Sequence, residues 1–264
     1  MTALQRTALI AASTFGCAMA GQALQLVLPA HFITDGRGTV GSVIGVLALL
    51  LALVLGLLIW TSYGVFANQQ SEAHSLSLTT LQLDYLLEQY GPEATQGRLG
   101  VRGAVRRSRE RYFSGKTPDP DLSFALAREK LHYIDEFFAA MKPADAVRQQ
   151  ILAAARPLAN SIVRTQLMMS RQLINPVPEL LLVMVQIWSS LLFLGFGVMG
   201  NPSIVSVFAD AAGAFAISSA IFIIIEFTEP YSGLFRISPS GIDKVLAELA
   251  ANAPTSKLEN QPPS

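Results

Sequence analysis

Apolar residues fall in four long runs separated by polar stretches, and the longest run sets the class of the protein. From Ser42 to Ala67 no charged residue interrupts the chain. As a helix this stretch would measure roughly 39 Å, whereas a bilayer core needs only about 20 apolar residues. A soluble core helix is not apolar on every face over such a length. Thr7–Leu28 is likewise uncharged, broken only by Ser13, Thr14, Gln22 and Gln25 among its polar positions. Val177–Met199 carries Glu179 near its start, and Ile204–Phe227 carries Asp210 and Glu226. Four transmembrane helices are predicted, with Gly200-Asn201-Pro202-Ser203 as a tight turn between the last two. Pro29–Val40, holding His31, Asp35, Gly36, Arg37 and Gly38, reads as a polar connector whose glycines mark a turn. The first run admits a second reading. Ala18-Met19-Ala20 resembles a signal-peptide cleavage site, but apolar character resumes past Gly21, which favours a retained first span.

Between the second and third runs the pattern changes to amphipathic helix. Leu76, Leu83 and Tyr90 extend the second span as a helix to Gly91-Pro92, a natural stop. Phe124, Ala127, Leu131, Ile134, Phe138 and Met141 form the stripe of a further helix. Pro143 reads as a first-turn proline of the next, whose stripe is Val147, Ile151, Ala154, Leu158, Thr165 and Met169 and which Pro157 should kink or break. The predicted division is 1–67 (spans one and two), 68–175 (a helical module), 176–230 (spans three and four) and 231–264. The last is a tail with one amphipathic helix near Ile242–Ala250 and a disordered end.

Composition agrees with an all-α polytopic membrane protein. Of 264 residues, 51% are hydrophobic and 14% charged, below the roughly 25% charged of soluble chains. The formal net charge is zero, and no basic motif with interleaved aromatics points to nucleic acid. The single cysteine, Cys17, rules out an internal disulfide. Charge placement sets orientation: residues 68–175 hold 14 of the 19 Lys and Arg, while the other connectors hold Arg37 or none. The module and both termini are therefore expected in the cytoplasm. Within it, Arg98–Lys116 carries seven basic residues against Glu110 alone, which reads as a solvated helix face near anionic headgroups or as an anion-attracting vestibule.

Candidate chemistry is sparse. There is no His-Glu-x-x-His, no glycine loop before a lysine and no cysteine cluster, so no enzyme, metal site or cofactor is expected. Asp210 and Glu226 lie on a predicted span, where a carboxylate costs roughly 2.5–3.5 kcal/mol at the bilayer centre. Asp210 reads either as a pore or interface partner or as a residue hydrated near the turn. Glu226, sharing a face with Ser219, Phe215 and Phe208, reads as an interfacial anchor. Ser62, Ser189, Ser190 and Ser218 complete the polar positions within the spans. Ala48, Ala52, Gly56 and Gly64 share an i, i+4 row with Trp60, a pattern that lets helix backbones approach in lipid or faces a pore.

Three stretches resemble a bacterial bestrophin-like membrane family. They are Leu28-Pro29-Ala30-His31 with Asp35 and the 52–58 run; Leu83 to Ala94, containing Asp84, Tyr90, Gly91, Pro92 and Glu93; and Pro230-Tyr231-Ser232-Gly233 through Pro239. The resemblance departs at Tyr85, where a basic residue is expected. Through it, a more distant likeness to bestrophins implies a four-span homo-oligomer in a lipid bilayer, pentameric by analogy, with cytoplasmic termini and an ion-conducting pore. For a bacterial chain the implied site is the inner membrane. The calcium-binding acidic run of bestrophins is replaced here by Leu234, Phe235, Arg236 and Ile237, so calcium gating is not implied. Two functions fit: an oligomeric ion channel, or a non-conducting scaffold docking a cytoplasmic partner through the helical module. In a channel, Asp210 would favour cations, and the basic segment would gather anions.

Overall fold

The computed structural model describes residues 3–27, 29–113, 124–173 and 178–252, with backbone only at 30–37, 124 and 125. Every regular element among them is helical: α1 (Ala3–Val27), α2 (Ala30–Tyr90), a 3₁₀ turn at Pro92–Ala94, α3 (Thr95–Phe113), α4 (Phe124–Ala140), α5 (Ala146–Gln172), α6 (Glu179–Met199), α7 (Ile204–Thr228) and α8 (Ser240–Ala251). Four of these, α1, α2, α6 and α7, are long and apolar enough to cross a membrane. The predicted disordered end lies outside the described residues.

The polar connector is the first correction. Residues 30–40 are helical and form the start of α2, a single helix of 61 residues. Gly36 and Gly38 cost about 1 kcal/mol each in a helix interior, but extending an existing helix avoids the larger penalty of nucleating a new one. At the other end the prediction of a stop holds. Gly91 takes φ 121°, a left-handed value that favours glycine, and Pro92 opens the 3₁₀ turn.

The chain forms two compact units, residues 1–65 with 175–228 and residues 66–174 with 229–264. In the first, α1 packs along α6 and α7. Leu51, Leu55 and Leu58 of α2 join Val185, Ile221 and Ile224 in one core cluster, and Ala18, Leu192, Phe193 and Ala214 form another.

The second unit is built on the continuation of α2. Leu76, Leu83, Leu87 and Tyr90 pack with Tyr112, Phe138, Ile162, Met169, Tyr231 and Ile237. Helix α5 starts at Ala146 because the Asp145 carboxylate accepts from the Arg148 backbone N–H at 2.7 Å; this N-cap displaces Pro143 from the first turn. Pro157 does not break α5: it and Ala153, whose carbonyl loses its partner, both lie on the exposed side. Of the predicted stripe, Thr165 and Met169 are buried and Ile151 and Leu158 pack against the core, whereas Val147 is 65% exposed. Ala155 and Ala159, one residue off the stripe, complete the buried face with Ile162. Two faces one residue apart differ by about 100°, and alanines occupy both, so side-chain size does not choose between them.

Candidate functional site

In the first unit the small-residue row of α2 is not where the backbones meet. Ala52, Gly56 and Trp60 are exposed and Ala48 is half-buried, and added Cβ atoms at Gly41, Gly45, Gly56 or Gly64 would touch nothing within 4 Å. Close approach occurs instead between Gly21 of α1 and Gly197 of α6. The face of α2 that is covered runs through Ile44, Leu51, Leu55, Leu58 and Ser62, with Ile44 seated against Gly195. The opposite face leaves Val46, Leu49, Leu53, Leu57 and Trp60 between 58% and 74% exposed. An open groove of about 500 Å³ runs along the start of this bare ridge, between Gly41, Gly45 and Ala48 and the Phe196–Asn201 end of α6.

The polar candidates of the spans are not gathered into one lining. Ser62, Ser189 and Ser218 are buried and donate at 2.7 Å to the carbonyls of Leu58, Val185 and Ala214, each four residues back on its own helix. Ser219 donates to the Ala216 carbonyl, three residues back, at 2.7 Å. Such internal bonds satisfy a hydroxyl where water is absent. Ser190 accepts from Gln186 Nε2 at 3.2 Å, and that amide also reaches Ser13 at 2.7 Å and Thr14 at 3.3 Å. Asp210 accepts from Gln22 Nε2 at 2.9 Å, a bond that joins α7 to α1. Glu226 is 4% exposed, while Phe208 and Phe215 on its row are 71% and 73% exposed. The row is therefore bare at one end and covered at the other, and Glu226 is a buried residue with contacts.

In the second unit the two remaining motif stretches share one core. Asp84 receives a bidentate pair from Arg98 of α3, Nε to Oδ1 at 3.0 Å and Nη2 to Oδ2 at 2.8 Å. Both side chains are nearly buried, and Glu88 lies 3.6 Å away. The Asp84 hydrogen bond raises the Arg98 pKa against the opposing pull of burial. Arg98 also donates to the Asn252 carbonyl, and Arg109 pairs with Asp243 at 2.9 Å, so α3 holds α8 by two contacts. Arg98 is therefore not part of a solvated basic face. Arg148 lies over the Tyr90 ring at 5.6 Å and pairs with Glu93 at 3.3 Å. The Tyr231 hydroxyl donates to Gln69 Oε1 at 2.7 Å, and Gln69 Nε2 donates to the Met169 carbonyl at 3.0 Å. Pro230 accepts from the Ile237 N–H at 2.8 Å, and Gly233 takes φ 89° in the turn between them. Ser232 donates to Glu229 at 3.2 Å. Pro29 is exposed, and the side chains of His31 and Asp35 lie outside those described.

A family model, the bestrophin-like domain, matches residues 12–242. The chain belongs to the bestrophin-like family. No curated protein and no solved structure matches it. With its four membrane-length helices, this bestrophin-like chain is a multi-pass membrane protein.

Several residues that organise the bestrophin-like chain carried little sequence signal. Arg98 stood in a basic run, and only the lone Asp84 within an apolar stripe hinted that it has a buried partner. Gln69, Gln166 and Gln22 reach their partners across long sequence separations, which a local pattern does not reveal.

Proposed function

We propose that the protein is an oligomeric ion channel whose copies meet around α2. The observation that carries this reading is the bare face of α2: an uncharged, membrane-length surface on which Ala52, Gly56 and Trp60 of the small-residue row are exposed. In lipid, apolar exposure alone does not drive association, but a small-residue ridge allows backbones of neighbouring copies to approach. Membership in the bestrophin-like family supports a ring of copies, five by analogy, and a conducting role. The α2 face offers no charged filter, so gating by dewetting of an apolar constriction suits it better than a charged ring. Asp210, engaged by Gln22 away from this ridge, becomes a helix-joining residue and not a selectivity element. The charge asymmetry of the sequence supports a cytoplasmic second unit and cytoplasmic termini. The test is flux from liposomes containing only the purified protein, read for chloride and for potassium. Release above empty liposomes supports the channel; absence of both, with a partner captured through 68–175, supports the scaffold.

A further inference from the structure

Two adjoining cavities in the second unit share Ala104, Arg107, Leu126, Lys130 and Gln166 as lining residues. The larger, about 470 Å³, is walled chiefly by apolar side chains, among them Leu83 and Leu87 of α2, Ile134 and Phe138 of α4, and Ile162 of α5. The smaller, about 270 Å³, adds Ser108, Arg111 and Tyr112. An apolar chamber thus opens onto a polar mouth lined by three cations, Arg107, Arg111 and Lys130, and, among the described residues, by no carboxylate.

Five other basic side chains of this unit are matched. Arg98, Arg106, Arg109, Arg148 and Arg156 each have an acidic partner within 4.0 Å. Among the described residues no carboxylate pairs with Arg107, Arg111 or Lys130. Glu129 lines the larger cavity but forms an ion pair with none of them. Lys130 Nζ donates one hydrogen bond, at 3.0 Å, to Gln166 Oε1, and Gln166 Nε2 is fixed in turn on Ser108 Oγ at 2.9 Å. An ammonium has three donors, so this network orients Lys130 and leaves capacity for a ligand. Burial, with Arg111 and Arg107 nearby, holds the Lys130 pKa below its usual value.

We infer that this compound cavity binds a single-chain anionic amphiphile. Its carboxylate or phosphate head sits on Lys130, Arg107 and Arg111, and its aliphatic tail lies in the chamber against Leu83, Ile134 and Ile162. The volume of the chamber falls within the range of about 300–1,000 Å³ usual for ligand sites, which are mostly apolar with a few placed polar groups. Affinity should rise roughly fourfold per added methylene until the chamber is filled. The site does not depend on ion conduction, so a failed flux assay leaves it standing.

The experiment is equilibrium binding of radiolabelled dodecanoate to the full chain held in amphipol, with empty amphipol subtracted. Dodecyl phosphate, acetate, inorganic phosphate and dodecanol serve as competitors. Saturable binding at one site per chain is expected, displaced by dodecyl phosphate and not by acetate, phosphate or dodecanol at equal concentration. Whichever of dodecanoate and dodecyl phosphate binds more tightly identifies the head group. Gly100→Phe should weaken binding: Gly100 lines the larger cavity and an added Cβ there meets nothing within 4 Å, so the variant sets a ring at the cavity wall without striking the fold. Lys130→Met should weaken binding at least tenfold. Arg111→Gln carries the same expectation should Lys130→Met lose its cooperative melt. No saturable binding, acetate competing as well as dodecyl phosphate, or binding unchanged in both Gly100→Phe and a folded cation variant would overturn the proposal.

Discussion

Gly21 of α1 and Gly197 of α6 face each other so closely that a Cβ built on either would stand 3.0 Å from the Cα of the other. The same added atoms would run into the carbonyl oxygens of Leu194 and Ala18. These are backbone atoms, which cannot swing away as a side chain can. In lipid, where helices gain little from burying apolar surface against each other, such backbone approach is what holds α1 to α6.

Gly197→Leu should therefore destabilise the first unit by about 1–3 kcal/mol or more, the usual cost of forcing volume into a packed core. Gly16→Leu is the control, since an added Cβ there meets nothing within 4 Å. Thermal unfolding in detergent checks both. A Gly197→Leu variant as stable as Gly16→Leu would mean that the glycine contact is not structural.

The Asp84–Arg98 pair should behave as a buried ion pair. Removing one partner, as in Asp84→Ala, strands the other charge and should cost about 3–5 kcal/mol. Replacing both, as Asp84→Leu with Arg98→Met, should recover most of that loss. A double-mutant cycle on the melting of the full chain measures the coupling. Two independent single losses that simply add would contradict the pairing.

Tyr112 gives a pH prediction. Burial pushes its hydroxyl pKa up to about 12 from the usual 10. Its neutral form is favoured in the folded state, so the unfolded chain releases its proton first as pH rises. The contribution is fully present below pH 10 and is lost between about pH 10 and 12, amounting to roughly 2–3 kcal/mol. Tyr112→Phe should flatten this part of the stability profile. An unchanged alkaline slope would remove Tyr112 as its source.

The small-residue ridge of α2 gives an assembly prediction. Gly56→Leu places its side chain in open space within one chain, so the fold should survive while the oligomer dissociates. Light scattering of the detergent-solubilised protein reads the mass directly. A variant that keeps the parent mass would show that copies do not meet along this ridge.

The membrane class and helical content were legible because they rest on long unbroken patterns. The uncharged run from Ser42 to Ala67 admits no other reading, and the stop at Gly91-Pro92 follows from backbone chemistry. What escaped the pattern depends on pairing across the chain. The row Ala48, Ala52, Gly56 and Gly64 and the pair Gly21 and Gly197 are both small residues at close-packing positions, and nothing local says which pair meets within one chain. Likewise Arg98 and Arg107 sit in the same basic run, but Asp84 neutralises the first and no described carboxylate neutralises the second. Glycine in isolation predicts a turn, but Gly36 and Gly38 sit at the start of a helix anchored by the apolar run that follows.

The most direct test of a pore built around α2 combines ion flux with chemical block at its bare face. Cys17 is the only native cysteine, so Cys17→Ser provides a clean background for Leu53→Cys or Leu57→Cys, both on the exposed side. Proteoliposomes of either variant should release chloride or potassium above empty liposomes, and a bulky thiol reagent should stop that release while leaving the cysteine-free parent unaffected. No release from the parent, or release that persists after complete modification of both positions, would contradict the account.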